Sequence, residues 1–229
     1  MKIIVSDFDN TFYTDRYEDN VKLIKEFVEK GNKFIIATGR PIYLLNPSIE
    51  GYNLDCSYIV CNDGGVIFDS DGNKIFEENI ENAVAKEIYD ILSASDNIEE
   101  VFIDTALNFS KNTDDTCNAI LALPKDKILA QKQIDEIMEM YPSIQGYISH
   151  RWLNILSKNS SKGNAVKLLM EMNNWSYDDI ITIGDNYNDI SMLEAFNSFI
   201  IKGDKNIEDK AKHVVNNFEE MLEIINESD

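Results

Sequence analysis

Four short apolar runs, each ending abruptly in polar residues, constrain this chain more than any other feature. "KIIVSD", "KFIIATGR", "SYIVCNDGG" and "DIITIGD" carry β-favouring residues in succession, without polar alternation. A strand that is apolar on both sides must be covered on both faces, as in a parallel sheet enclosed by helices. The intervening sequence agrees. "EDNVKLIKEFVEKG" places Ile24, Phe27 and Val28 on one helical face with Gly31 as its stop. "KGNAVKLLMEMNNW", "ISMLEAF" and "FEEMLEII" read as further helices, "SFII" as a further strand, and "GVIFDSDGNKIF" as a hairpin turned at Asp71-Gly72.

From about residue 80 to residue 153 this rhythm is lost. "NAVAKEIYDILSA" and "QKQIDEIMEMY" read as helices, "EEVFIDTA" and "TCNAILAL" as strands, and "GYISHRWLNILS" as one or two more. The expectation is one α/β domain in two pieces, residues 1–79 and 154–229, with an α+β module of residues 80–153 inserted between them.

With 229 residues and 44% hydrophobic content the chain can bury an ordinary core. Its formal net charge of −20 supplies no basic footprint for nucleic acid or an anionic membrane. An anionic substrate would therefore need a local cation. Cys56, Cys61 and Cys117 are odd in number and lack CxxC spacing, so neither a disulfide framework nor a zinc site is expected. No apolar run approaches membrane-spanning length, and no basic segment precedes an apolar one at the start, so a cytoplasmic protein is expected. His150 and His213 stand alone, which reads His150 as a surface or cap residue, and Trp152 and Trp175 read as packing.

In an open parallel sheet, ligands bind beyond the carboxyl ends of the strands. There the sequence places Asp7, Asp9, Asn10 and Thr11; Thr38, Gly39 and Arg40; Asn62 and Asp63; and Asp185, Asn188 and Asp189, with Lys162 at a helix start. Hard oxygen ligands without histidine or thiolate suit Mg²⁺. An ammonium, a hydroxyl and the amides of glycine-containing turns are what a phosphoryl group requires. A carboxylate facing phosphorus can act as nucleophile, and a second acid can carry the proton.

Asp7-Phe8-Asp9-Asn10-Thr11, Thr38 within "IIATGR", Lys162 within "SSKGNAV", and "GDNYNDISML" together resemble the four motifs of the haloacid dehalogenase superfamily of phosphohydrolases. The insertion preceded by "CNDGG" is similar to the Cof-type branch, subfamily IIB, with a C2-type cap. This resemblance implies a Rossmann-like core with a small α+β cap. It implies an Mg²⁺-dependent phosphomonoester hydrolase acting on a small phosphorylated metabolite, a sugar phosphate foremost, through an aspartyl-phosphate. Carried onto this chain, it makes Asp7 the nucleophile and a metal ligand, and Asp9 the general acid/base with its backbone carbonyl on the metal. Thr38 and Gly39 become phosphate donors, with Arg40 able to reach substrate. Lys162 balances charge, Asp185 is the metal carboxylate, Asp189 is an additional or outer ligand, and Asn188 contacts phosphate. The sequence departs from the family pattern at Asn10, Asp63 and Asn154. A phosphomutase, or a non-hydrolytic phosphoacceptor domain, are the alternative readings. A monomer or weak homodimer is expected.

Overall fold

The computed structural model describes residues 1–227. The chain begins with β1 (Ile3–Ser6), α1 (Tyr17–Glu29), β2 (Lys33–Ala37), α2 (Ile42–Ile49), β3 (Tyr58–Cys61), β4 (Val66–Asp69) and β5 (Lys74–Glu77). It continues through α3 (Asn82–Ser93), β6 (Ile98–Asp104), β7 (Phe109–Ser110), β8 (Ala119–Pro124), α4 (Lys127–Met140), β9 (Ile144–Ser149) and β10 (Trp152–Ser157). It closes with α5 (Lys162–Asn173), β11 (Ile180–Gly184), α6 (Ile190–Leu193), β12 (Asn197–Ile201), β13 (His213–Val215) and α7 (Phe218–Glu227).

Among the described residues the first sheet has eight strands in the order β13-β12-β11-β1-β2-β3-β4-β5. Pairing is parallel from β13 to β3 and antiparallel at the β3-β4-β5 edge. The doubly apolar strands serve two cores. Ile4, Phe34, Ile36, Ile181 and Ile183 pack against α1 and α7, while Ile3, Val5, Ile35, Ala37 and Ile180 pack against α5 and α6. Alternation of side chains along a strand makes this division automatic.

The second sheet is antiparallel, in the order β7-β6-β8-β10-β9. One face, with Ile103, Ile120 and Ile155, packs on Ile88 and Leu92 of α3 and Ile134 and Ile137 of α4. The other face turns Leu121, Tyr147, Trp152 and Asn154 toward the carboxyl edge of the first sheet. Leu121, Asn154 and Tyr147 are direct partners across three strands, so they form one row.

Some expectations change in detail. β10 continues in the second sheet to Ser157, beyond the boundary expected at residue 153, because Asn154 is a cavity-facing position within a strand whose alternate residues, Leu153 and Ile155, stay in that sheet's core. The β4-β5 turn is wider than two residues, with the Asp69 carboxylate accepting from the amides of Asp71 and Asn73. In "ISMLEAF" only Ile190–Leu193 is α-helical. No membrane-crossing helix is present among the described residues.

Candidate active site

Asp7 follows β1 and Asp185 follows β11, parallel neighbours from which the chain winds away in opposite directions. Such a switch point leaves a crevice at the carboxyl edge. The Asp7 amide donates to the Ile183 carbonyl at 2.9 Å, continuing the sheet pairing and holding its backbone. Lys162 is the first residue of α5, after the N-cap Ser161, whose side chain accepts from the Asn164 amide. Its Nζ is completely buried, 2.6 Å from Asp7 Oδ1 and 2.7 Å from Asp189 Oδ1. Asp189 spends its second oxygen on the amides of Asp185 and Asn186, at 2.9 and 3.0 Å, and so folds the loop that presents Asp185. Only glycine fits before that loop: a Cβ on Gly184 would lie 2.4 Å from Asp189 Cγ.

Burial pushes the Asp7 carboxyl well above its ordinary range, with Lys162 opposing the rise and Asp189 and Asp185 adding to it. Asp185 is pushed up by burial and then by Asp189, against the hydrogen bond it receives from Thr11 Oγ1. Burial works to lower the Lys162 pKa, but Asp189 and Asp7 outweigh it and hold the ammonium charged. Ligand oxygens of Asp7, Asp185 and Asp189 lie within 4.8 Å of one another. This all-oxygen set, with negative charge exceeding that of its single lysine, fits a hard divalent cation such as Mg²⁺. Since Lys162 and two amides already engage Asp189, Asp7 and Asp185 are the better-placed ligands.

The Asp9 carboxylate points elsewhere. Arg40 Nε and Nη2 grip its two oxygens at 2.7 and 2.5 Å, while Nη1 reaches Ser48 Oγ at 2.9 Å. The guanidinium carbon lies 5.1 Å from the Phe8 ring centroid. Thr38 is buried, with its Oγ1 accepting from the Arg40 amide at 3.1 Å. Asn188 Nδ2 donates to Asp63 Oδ1 at 2.8 Å, and the Tyr147 hydroxyl donates to Asp63 Oδ2. Asp63 thus ties the second sheet to the first, and a Cβ on Gly39 would come within 3.1 Å of its carboxylate. Asn10 has φ 60°, a left-handed conformation that asparagine tolerates well, which accounts for a residue other than glycine at this turn.

These groups border a cavity of about 600 Å³ between the two sheets. Asp7, Asp9, Thr38, Gly39, Arg40, Asp185 and Asn188 line it, whereas Lys162 and Asp189 stand behind its wall. The second sheet contributes Asp104, Phe109, Leu121, Tyr147, Trp152 and Asn154, with His150 and Arg151 exposed on the β9-β10 turn. Trp152 therefore faces the cavity, whereas Trp175 packs against Tyr58. The sequence pattern placed Thr11 at the sheet edge without a partner, and did not single out Asp104, Asn118 or Tyr147. For Tyr147 the strand alternation of "GYISHRWLNILS" was an available signal; for Asp104, Asn118 and the pairing of Thr11 with Asp185 there was none, because the side chains they meet lie far away in sequence.

The family model described as haloacid dehalogenase-like hydrolase matches residues 4–106 and 93–221. A pyridoxal phosphate phosphatase of Escherichia coli is 23% identical over 92% of this chain and 90% of its own length. A phosphoglycolate phosphatase of Methanosarcina acetivorans is 28% identical over 93% of this chain and 89% of its own. The solved structure of a subclass IIB sugar phosphatase of the haloacid dehalogenase superfamily has a TM-score of 0.83 at 14% identity, with 99% of both chains covered.

Proposed function

This chain belongs to the haloacid dehalogenase-like hydrolase family and is a phosphatase, and from that premise we propose that it hydrolyses a small phosphomonoester, foremost a sugar phosphate, by way of an aspartyl-phosphate on Asp7. The observation that carries this reading is the buried ammonium of Lys162 between Asp7 and Asp189, beside Asp185 and open to the cavity through Asp7.

In the first step an oxygen of Asp7 forms a bond to phosphorus and the ester oxygen departs with the bonding pair, taking a proton from Asp9. In the second, Asp9 removes a proton from water as its oxygen attacks phosphorus, releasing phosphate and restoring Asp7. Lys162 keeps Asp7 oriented and partly neutralised. Thr38 and the Gly39 amide border the position of the phosphoryl oxygens. Asp9 is held by both its oxygens in the Arg40 fork, so one of those bonds must open before Asp9 can carry a proton to the leaving oxygen. Asp7 and Asp185 would hold Mg²⁺, with Asp189 behind them and the Asp9 carbonyl in reach of the same site by family resemblance; when bound, the ion offsets charge on the phosphoryl oxygens.

The second sheet with α3 and α4 serves as a cap that closes over the leaving group and limits water. We place the activity in the cytoplasm, with no nucleic-acid or membrane partner. Phosphate release from a panel of small phosphomonoesters, with Mg²⁺ and then with excess EDTA, tests the reading. Release that persists undiminished in EDTA, or formation of an isomeric sugar phosphate without release, speaks against it.

A further inference from the structure

Asn118 is completely buried, and its Nδ2 donates to the carbonyls of Gly65 and Glu78, at 3.0 and 2.6 Å. That fixes the orientation of its amide, leaving Oδ1 to accept from Asn62 Nδ2 at 2.5 Å. The orientation of Asn62 is fixed in turn. Its Oδ1 is buried, lacks any hydrogen-bond partner among the described residues, and belongs to a side chain that lines the cavity.

Asp104 lies beside it at the end of β6 and is 1% exposed. Its oxygens accept from the Ala106 amide at 2.7 Å and the Tyr43 hydroxyl at 3.1 Å. No lysine or arginine pairs with it among the described residues. Arg40 is committed to Asp9, Lys162 is enclosed on the Asp7 side, and Arg151 and His150 border the cavity from the exposed β9-β10 turn, where the Arg151 guanidinium lies over the Trp152 ring. This corner of the cavity therefore offers acceptors and one carboxylate without a paired cation, and asks for donors.

Resting on the phosphatase reading, we propose that Asp104 and Asn62 form an acceptor subsite that selects leaving groups rich in hydroxyl donors and rejects those bearing a second anion. A leaving-group hydroxyl donating to Asn62 Oδ1 satisfies a buried acceptor that otherwise has no donor, and a carboxylate in the same place meets Asp104, whose charge no lysine or arginine pairs with among the described residues. Asp104 is thus a specificity-determining residue.

Matched substrates test this: hexose and pentose phosphates against the phosphosugar acids of equal carbon number, with p-nitrophenyl phosphate reporting phosphate transfer itself, all in Mg²⁺. The neutral sugar phosphates should exceed their acid counterparts in kcat/KM by about tenfold or more, since like-charge juxtaposition is strongly unfavourable. Asp104→Asn should shrink that ratio by about tenfold, because it removes the charge and keeps the outline. Hydrolysis of p-nitrophenyl phosphate together with equal or better use of the sugar acids overturns the subsite and leaves the phosphatase reading standing. An unchanged ratio in a folded Asp104→Asn variant does the same. If that variant does not fold, the ratio in the unaltered protein decides. No phosphate release from any of the compounds overturns the phosphatase reading, and the subsite with it.

Discussion

Replacing Asp104 with asparagine removes a buried charge from the cavity wall and should change how the fold responds to pH. Burial pushes the Asp104 carboxyl up to about 6 from its ordinary 3.8, although Ala106 and Tyr43 donate to it. The titratable groups that face it, Tyr43, Cys61 and Cys117, are themselves pushed up by burial and stay neutral across the range concerned. Folded Asp104 keeps its proton where the unfolded chain has lost it, so the native state binds more protons. The stability attributable to this residue therefore falls as pH rises through about 4 and on through about 6. A shift of about two units corresponds to about 3 kcal/mol, of which roughly 2–3 kcal/mol is lost between about pH 4 and about pH 7. The Asp104→Asn variant has no such loss. Thermal melts of both proteins in the same buffers should show the variant gaining on the parent by roughly 5–10 °C over that interval, at about 2–4 °C per kcal/mol for a chain of this size. Contributions from Asp7, Asp185 and other acids are common to both proteins and cancel in the difference. A difference in melting temperature that stays constant with pH, or that shrinks as pH rises, refutes the reasoning.

Lys162→Met should destabilise the chain by about 3–5 kcal/mol in urea unfolding at neutral pH, because it leaves Asp7 and Asp189 buried without their cation. Gly64→Ala introduces a Cβ 2.1 Å from the Ser161 carbonyl oxygen at φ +95°; left-handed strain and overpacking together should cost about 2–5 kcal/mol and lower turnover by displacing Lys162, read by parallel melts and assays. Tyr147→Phe removes the donor that the second sheet extends to Asp63. Its kcat/KM should drop about tenfold, and hydrogen exchange in β9 should quicken, as expected for a lost hydrogen bond to a charged group.

The parts of this structure legible in the sequence are those whose neighbours are dictated by the backbone. Ile3–Val5, Phe34–Ala37 and Ile180–Ile183 read as buried parallel strands because both faces of the sheet are covered, and that placed Asp7, Thr38 and Asp185 on one edge. Elements held by context were not read. α2 contains Pro47 and lacks a side-chain N-cap, and β7 and β13 are only two and three residues long. Side-chain partnership at the ends of strands was also beyond local pattern. Asn188 was expected on phosphate and Arg40 as able to reach substrate; here their side chains engage Asp63 and Asp9. Asn62 meets Asn118 and Asp104 only because the second sheet folds back over the first, and the 56 residues that separate Asn62 from Asn118 leave no shared periodicity to detect. Asn10 is the reverse case: its departure from glycine marks a left-handed turn that asparagine also fills.

Covalent phosphate on Asp7 is the claim on which the mechanism depends. The chain, mixed with Mg²⁺ and a hydrolysed sugar phosphate, can be quenched in acid, reduced with borohydride and mapped by peptide mass. An aspartyl-phosphate at Asp7 gives homoserine at that position and nowhere else, and Asp7→Asn gives none and releases no phosphate. Homoserine or retained phosphate at another residue, or full turnover by Asp7→Asn, contradicts the mechanism.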